Sequence, residues 1–234
     1  GVTPIDYTHY YYGAAKDRAG SAAAINAPMT MSQTQKTAAR PVALTITADT
    51  KSITYYKGNA PGDEQSDYTV KYANSAIVDY TAYYYDVSGT ATRANAATTL
   101  NAKMTLSHTT RTGVAASSAA EANTKSITSY AGLLGDEQSD ITTKYSGVTP
   151  IDYTYYYYGA GNARAGVTVN TAMALSQTQS TAAAPVTAGV ANAFTKSITT
   201  YLGTIGQEQS DMTTKYAGVT PIDYTHYYYG AAKD

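Results

Sequence analysis

Short runs in which residue types alternate with a period of two dominate this chain. In Ile5-Asp6-Tyr7-Thr8-His9-Tyr10-Tyr11-Tyr12 the odd positions carry Ile, Tyr, His and Tyr, and the even positions carry Asp, Thr, Tyr and Tyr. Alternation of strong strand formers is the mark of a strand whose successive side chains face opposite ways, and Gly13 stops it. The same run recurs over 78–85, 151–158 and 222–229. Further strands are predicted over 29–35, 42–47, 52–56 and 68–72, where threonines or β-branched residues hold alternate places. Ala/Gly/Asn/Pro stretches at 19–28 and 59–62 read as loops. Asp67 and Lys71, like Asp140 and Lys144 or Asp211 and Lys215, stand four apart, the spacing of a helical ion pair. A short helix is the alternative there, although Thr69, Val70, Thr142, Thr143, Thr213 and Thr214 favour strand.

These runs are copies of one another. Asp-Tyr-Thr begins at Asp6, Asp79, Asp152 and Asp223, in steps of 73, 73 and 71 residues. Thr-Lys-Ser-Ile-Thr begins at Thr50, Thr124 and Thr195, and Glu-Gln-Ser-Asp begins at Glu64, Glu137 and Glu208. Three repeats follow, over 1–73, 74–146 and 147–217, and residues 218–234 open a fourth that is identical to residues 1–17. Five to seven short strands per repeat predict an all-β chain of tandem small antiparallel β-sandwiches of the Ig-like kind, with β-solenoid-like coils as the alternative.

Composition narrows this. Leu, Ile, Val and Phe together make up 31 of 234 residues, thin for a globular core. Disorder does not follow, because the net charge is −1 and there are 25 Tyr. Tyrosine must serve as the packing residue: it hides on the order of 150–250 Å² of surface and keeps a hydroxyl for a hydrogen bond. A repeat of this size is marginal alone, so each is expected to lean on a neighbouring repeat or subunit. With no Cys, disulfides cannot supply the difference.

The tyrosine clusters are the most distinctive chemistry: Tyr10, Tyr11 and Tyr12; Tyr83, Tyr84 and Tyr85; Tyr155, Tyr156, Tyr157 and Tyr158; Tyr227, Tyr228 and Tyr229. In a strand, adjacent members face opposite ways, so one set fills an interior while the other contacts neighbouring strands or neighbouring subunits. They are the candidate assembly contacts. Asp63, Glu64 and Asp67, repeated as Asp136, Glu137 and Asp140, could offer oxygen ligands to calcium. Gln207 replaces the first acid of the third copy, so a solvated turn is the favoured reading and no cofactor is expected. In its Thr-rich tandem β composition the chain resembles certain pilus and adhesin domains of bacteria. That resemblance implies internal crosslinks, for which Lys51, Lys125 and Lys196 with Gln65, Gln138 and Gln209 are the recurrent candidates.

Catalysis finds little footing. His9, His108 and His226 do not follow the repeat, and no nucleophile, phosphate-loop or zinc motif occurs. Balanced charge and the lack of a basic run argue against nucleic acid, and no apolar stretch is long enough for a membrane-spanning helix. The sequence therefore predicts a structural, self-assembling repeat protein with itself as partner, forming an extracellular filament, sheath or cell-surface stalk. The alternative is a repetitive adhesin that binds glycans or partner cells.

Overall fold

The computed structural model describes residues 6–21, 24–38, 45–94, 99–167 and 170–229. All regular structure there is β: sixteen antiparallel strands in one sheet, and no helix long and apolar enough to cross a membrane. Two compact units, 1–125 and 126–234, divide the chain.

In the first unit lie β1 (Tyr7–Tyr12), β2 (Asp17–Arg18), β3 (Met29–Gln35), β4 (Thr50–Lys57), β5 (Gln65–Ala73), β6 (Ala76–Val87), β7 (Thr90–Arg93) and β8 (Met104–Thr110). Each long strand pairs with the next in sequence, as alternation and short connections dictate. The short β2 and β7 instead fold back onto β1 and β6, setting Arg18 opposite Tyr11 and Arg93 opposite Tyr84.

The second unit repeats this plan. After β9 (Thr124–Ala131), whose first residues belong to the first unit, come β10 (Gln138–Ser146), β11 (Thr149–Tyr158), β12 (Ala163–Arg164), β13 (Met173–Gln179), β14 (Thr195–Leu202), β15 (Gln209–Ala217) and β16 (Thr220–His226). Here β12 sets Arg164 opposite Tyr157. Two-residue turns join β5 to β6, β10 to β11 and β15 to β16. Asn74 and Ser75 both take positive φ in the first, and Gly147 and Gly218 do so in the others, as tight hairpins require.

The two faces of the sheet differ. One carries hydroxyl pairs that cross from strand to strand: Thr8 with Thr34 at 3.0 Å, Thr54 with Thr69 at 2.8 Å, Thr128 with Thr142 at 2.8 Å and Thr199 with Thr213 at 2.7 Å. The other carries the core, in small clusters: Tyr11, Met31 and Ile53; Ala82, Tyr84 and Ala115; Tyr155, Tyr157 and Leu175.

Connections rather than a second sheet cover that core. The long segments after β8 and β13 lay Ala115 on Tyr84 and Ala188 against the Tyr155 cluster. Polar side chains rising from the core face fasten them. Tyr84 donates to the Ala115 carbonyl at 3.4 Å and Tyr155 to that of Ala182 at 2.5 Å, while the Gln177 amide donates to that of Val190 at 3.0 Å. Gln33, His108 and Gln177 hold equivalent places, fully buried, and each bonds the hydroxyl that opens a Thr-Lys-Ser-Ile-Thr motif: Thr50 at 3.2 Å, Thr124 at 2.8 Å and Thr195 at 3.2 Å. Those hydroxyls in turn accept the backbone amides of Thr47, Glu121 and Asn192.

The finer expectations fare unevenly. The described strands form one sheet, so the paired sheets of an Ig-like sandwich are not seen; loops meet the need for cover at lower chain length. The strand reading favoured for the segments holding Asp67 and Lys71, Asp140 and Lys144, and Asp211 and Lys215 holds, and the alternative short helix is not seen, because Thr and Tyr at alternate places gain cross-strand partners that a short helix would lack. Of the strand expected over 42–47, residues 42–44 lie outside the described residues, and 45–47 run without strand pairing.

Candidate functional site

The tyrosine clusters divide as alternation requires. Tyr11, Tyr84 and Tyr157 point into the core at 3%, 2% and 4% exposure. Tyr83 and Tyr156, one residue earlier, face the hydroxyl side and hydrogen-bond Thr69 at 3.2 Å and Thr142 at 3.0 Å, and Tyr227 reaches Thr213 in the same way at 3.2 Å. Tyr85 and Tyr158, beyond a bulge in the ladder, donate to the Ser66 and Ser139 carbonyls at 2.9 and 2.8 Å. Tyr155 is buried where Ala82 and His9 hold the equivalent place, and Tyr10 is exposed while Tyr12 is half-buried. Burial raises the hydroxyl pKa of Tyr84, Tyr155, Tyr156, Tyr157 and Tyr158 above the ordinary value, since the phenolate would lose its hydration.

Contacts between successive repeats follow one plan, seen once in each compact unit. Arg93 forms an ion pair with Asp67 of the preceding repeat, its Nε 2.9 Å from Oδ1, and lies over the Tyr68 and Tyr84 rings at 5.8 and 5.9 Å. Arg164 pairs with Asp140 with the same Nε distance, 2.9 Å, and lies 4.9 Å over Tyr155. Gln65 donates to the Ala102 carbonyl at 3.1 Å and Gln138 to that of Thr171 at 3.0 Å. Arginine, strand, tyrosine and glutamine thus form one joint between repeats. Sequence reasoning missed these arginines because Arg18, Arg93 and Arg164 are spaced by 75 and 71 residues, off the 73-residue step.

At the last strand the joint is left open. Tyr224, Tyr227, Tyr228 and Tyr229 are exposed, Tyr228 at 63%. With Leu202, Ser210 and Asp211, the last three of them line an open recess of about 360 Å³. Among the described residues β16 pairs with β15 alone, keeping the register seen inside the chain: Thr213 opposite Thr225 and Lys215 opposite Asp223, as Thr69 opposes Thr81 and Lys71 opposes Asp79.

The remaining candidates are engaged otherwise. Glu64 accepts the backbone amides of Met29 and Gly62 at 2.7 and 2.8 Å, Asp67 and Asp140 are taken by arginine, and no group of three metal-ligating side chains comes together among the described residues. Lys51, Lys125 and Lys196 form ion pairs with Asp6, Asp79 and Asp152 at 2.6, 2.9 and 2.5 Å. Asp223 belongs to the same series but pairs with Lys215 at 2.9 Å. Gln209 is exposed, unlike Gln65 and Gln138. His9, His108 and His226 are dispersed, with His108 spent on holding a loop. Searches among protein-family models, curated proteins and solved structures find no match to this chain.

Proposed function

We propose that this chain is a structural, self-assembling protein, in which copies of the repeat joined strand to strand build an extracellular filament, sheath or surface stalk. One observation supports the reading: within each compact unit the same contacts fasten one repeat to the next, Arg93 on Asp67 with Gln65 on the Ala102 carbonyl, and Arg164 on Asp140 with Gln138 on the Thr171 carbonyl, so each repeat carries what a further copy needs to join it. The mechanism is mechanical. Backbone ladders running from repeat to repeat carry load, and the threonine pairs and covered core hold each strand in register.

The test is assembly of residues 1–234, followed by light scattering over a concentration series and by electron microscopy. Fibres or sheets with an axial repeat shared by three similar lobes are expected. Tyr228→Asp leaves the folded monomer intact, because that side chain is exposed, and abolishes assembly. A wild-type chain that stays monomeric at all concentrations overturns the proposal, and monodisperse protein that binds a glycan array through Tyr228 replaces it with the adhesin reading.

A further inference from the structure

Within the first compact unit an open recess of about 330 Å³ lies between the turn after β1, the end of β4 and the start of β5. Lys16, Tyr55, Lys57 and Tyr68 line it, and each departs from the repeat. The third repeat has Asn162, Thr200, Leu202 and Met212 at these places, and at the last three the second repeat has Ser129, Ala131 and Ile141. Two cations and two aromatic rings thus gather where the sequence breaks its own pattern. The rings of Tyr55 and Tyr68 stack, with centroids 4.5 Å apart and planes 20° from parallel, and Arg93 braces Tyr68 at 5.8 Å. Lys57 is exposed and Lys16 half-buried, and neither has a carboxylate in ion-pair range among the described residues. Asp67, the one acid on the lining, is already neutralised by Arg93, so the recess is positive. Lys16 is held at a φ of +58°, in the turn where Asn162 takes +50°. Asparagine adopts left-handed backbone readily and lysine does not. The chain keeps a strained residue here although its third repeat shows a relaxed one in the same turn, the mark of a residue retained for what it binds.

We propose that this recess binds an acidic sugar, a uronate ring of an oligosaccharide, which lies against the Tyr55 and Tyr68 wall and gives its carboxylate to Lys16 and Lys57. The C–H face of a pyranose carries slight positive charge and suits the negative face of a phenol ring, whose hydroxyl is left to bond the sugar's own. The ammonium groups supply charge-assisted hydrogen bonds to the carboxylate. Phosphate suits the recess less well. The backbone amides of Gly13 and Lys16 donate to the Pro28 and Gly13 carbonyls at 2.9 and 3.1 Å, so the turn offers no nest of free amides for a phosphate. The volume lies at the lower end of the range for small-molecule sites, about 300–1,000 Å³, which admits a sugar ring and part of its neighbour. This proposal does not rest on assembly, and neither lysine belongs to the joint between repeats.

Fluorescence anisotropy of a labelled hexagalacturonate, titrated with the full chain, tests this. Saturable binding is expected, weakened by salt, with neutral maltohexaose bound at least about tenfold less tightly. Lys16→Asn, Lys57→Ala and Tyr55→Ser each install a residue that another repeat already carries at that place, so the fold survives them, and each is expected to raise the Kd about tenfold or more. Lys16→Asn gives the sharpest signature, because it relieves the turn: the urea midpoint rises while binding weakens, opposite signs that a structural role for Lys16 would not produce. Adenosine monophosphate, a phosphate with a flat ring, is expected to leave the label bound at concentrations where unlabelled hexagalacturonate displaces it. A wild-type chain that shows no saturable binding, maltohexaose bound as tightly as the acidic hexamer, or a Kd unmoved by Lys16→Asn and Lys57→Ala overturns the proposal. So does displacement by adenosine monophosphate equal to that by hexagalacturonate, which makes the ligand a phosphate instead.

Discussion

Residues 7–12 and 224–229 have the same sequence, Tyr-Thr-His-Tyr-Tyr-Tyr, and opposite fates. In the first, Tyr11 is packed with Met31 and Ile53 at 3% exposure; in the second, Tyr228 stands at 63%. His9 is buried and His226 exposed. Strand pairing explains the difference. β1 has β3 on one side and β2 on the other, and the loop between β1 and β3 returns Arg18 over the ring, whereas β16 has only β15. The strand itself even ends earlier, at His226 rather than at the third tyrosine. Burial of this tyrosine is therefore not intrinsic to the cluster: the strands paired beside it within its own repeat decide it.

The largest test of that contrast is a matched pair of substitutions. Tyr11→Ala removes a buried ring from a thin core and is expected to cost about 3–5 kcal/mol, the range for large aromatic truncations, whereas Tyr228→Ala changes the stability of dilute monomer by no more than about 0.5 kcal/mol. Urea midpoints of the two variants measure the difference, and equal losses would break the comparison. Next in size is the ion pair. Asp67→Asn leaves Arg93 facing a neutral amide and is expected to cost about 2–3 kcal/mol, short of the 3–5 of a fully buried pair because Arg93 keeps contact with water. Asp211→Asn, at the equivalent place, costs close to nothing, because Asp211 is exposed and is in no ion pair among the described residues.

A third expectation concerns pH. Burial raises the native-state pKa of Tyr84 and of Tyr155, Tyr156, Tyr157 and Tyr158, so folding favours their protonated forms. Below the unfolded value of about 10 both states are protonated and this contribution is whole. As pH climbs past it the unfolded chain ionises first, and stability falls until the native hydroxyls ionise as well. Urea midpoints that stay flat up to about pH 9 and then decline steeply, with the buried rings' share of the tyrosinate absorbance rising only as the protein unfolds, are the expected result. Early titration of the buried rings without unfolding would contradict their placement.

Much of this architecture was legible. The period-two runs and their repetition identify nearly every long strand, because side chains on a pleated sheet see the two faces in turn. The covering layer was not legible, and particular residues show why. Ala115 and Ala188 are too small to announce a core, and Gln33, Gln177 and His108 look solvent-facing in sequence although they are buried to hold loops. A buried polar group is recognisable only through its partner, and those partners lie 9–18 residues away in Thr45, Thr50, Ser117, Thr124, Val190 and Thr195. The repeat boundary drawn at Ala73 and Asn74 also conceals a physical unit, since it falls in the turn that joins β5 to β6.

That turn supplies the smallest and sharpest test, because it separates backbone strain from burial. Gly147 and Gly218 occupy equivalent two-residue turns, both at a φ of +63°, where a Cβ meets the next carbonyl and costs on the order of 1–2 kcal/mol. Gly147→Ala and Gly218→Ala therefore introduce the same local penalty. The strand after Gly147, β11, is held by β10, β12 and β13, so it cannot relieve the strain by leaving, and the urea midpoint should fall. The strand after Gly218 is held on one edge only, so β16 can detach to relieve it. There the expected readout is faster amide exchange confined to β15 and β16, with the global midpoint unchanged. In assembled material the β15 edge is covered on both sides of the joint, and the Gly218→Ala penalty should then appear as a raised assembly threshold. Should Gly218→Ala lower the midpoint of dilute monomer as much as Gly147→Ala does, β16 is a cooperative part of the folded chain and not an open edge awaiting a neighbour.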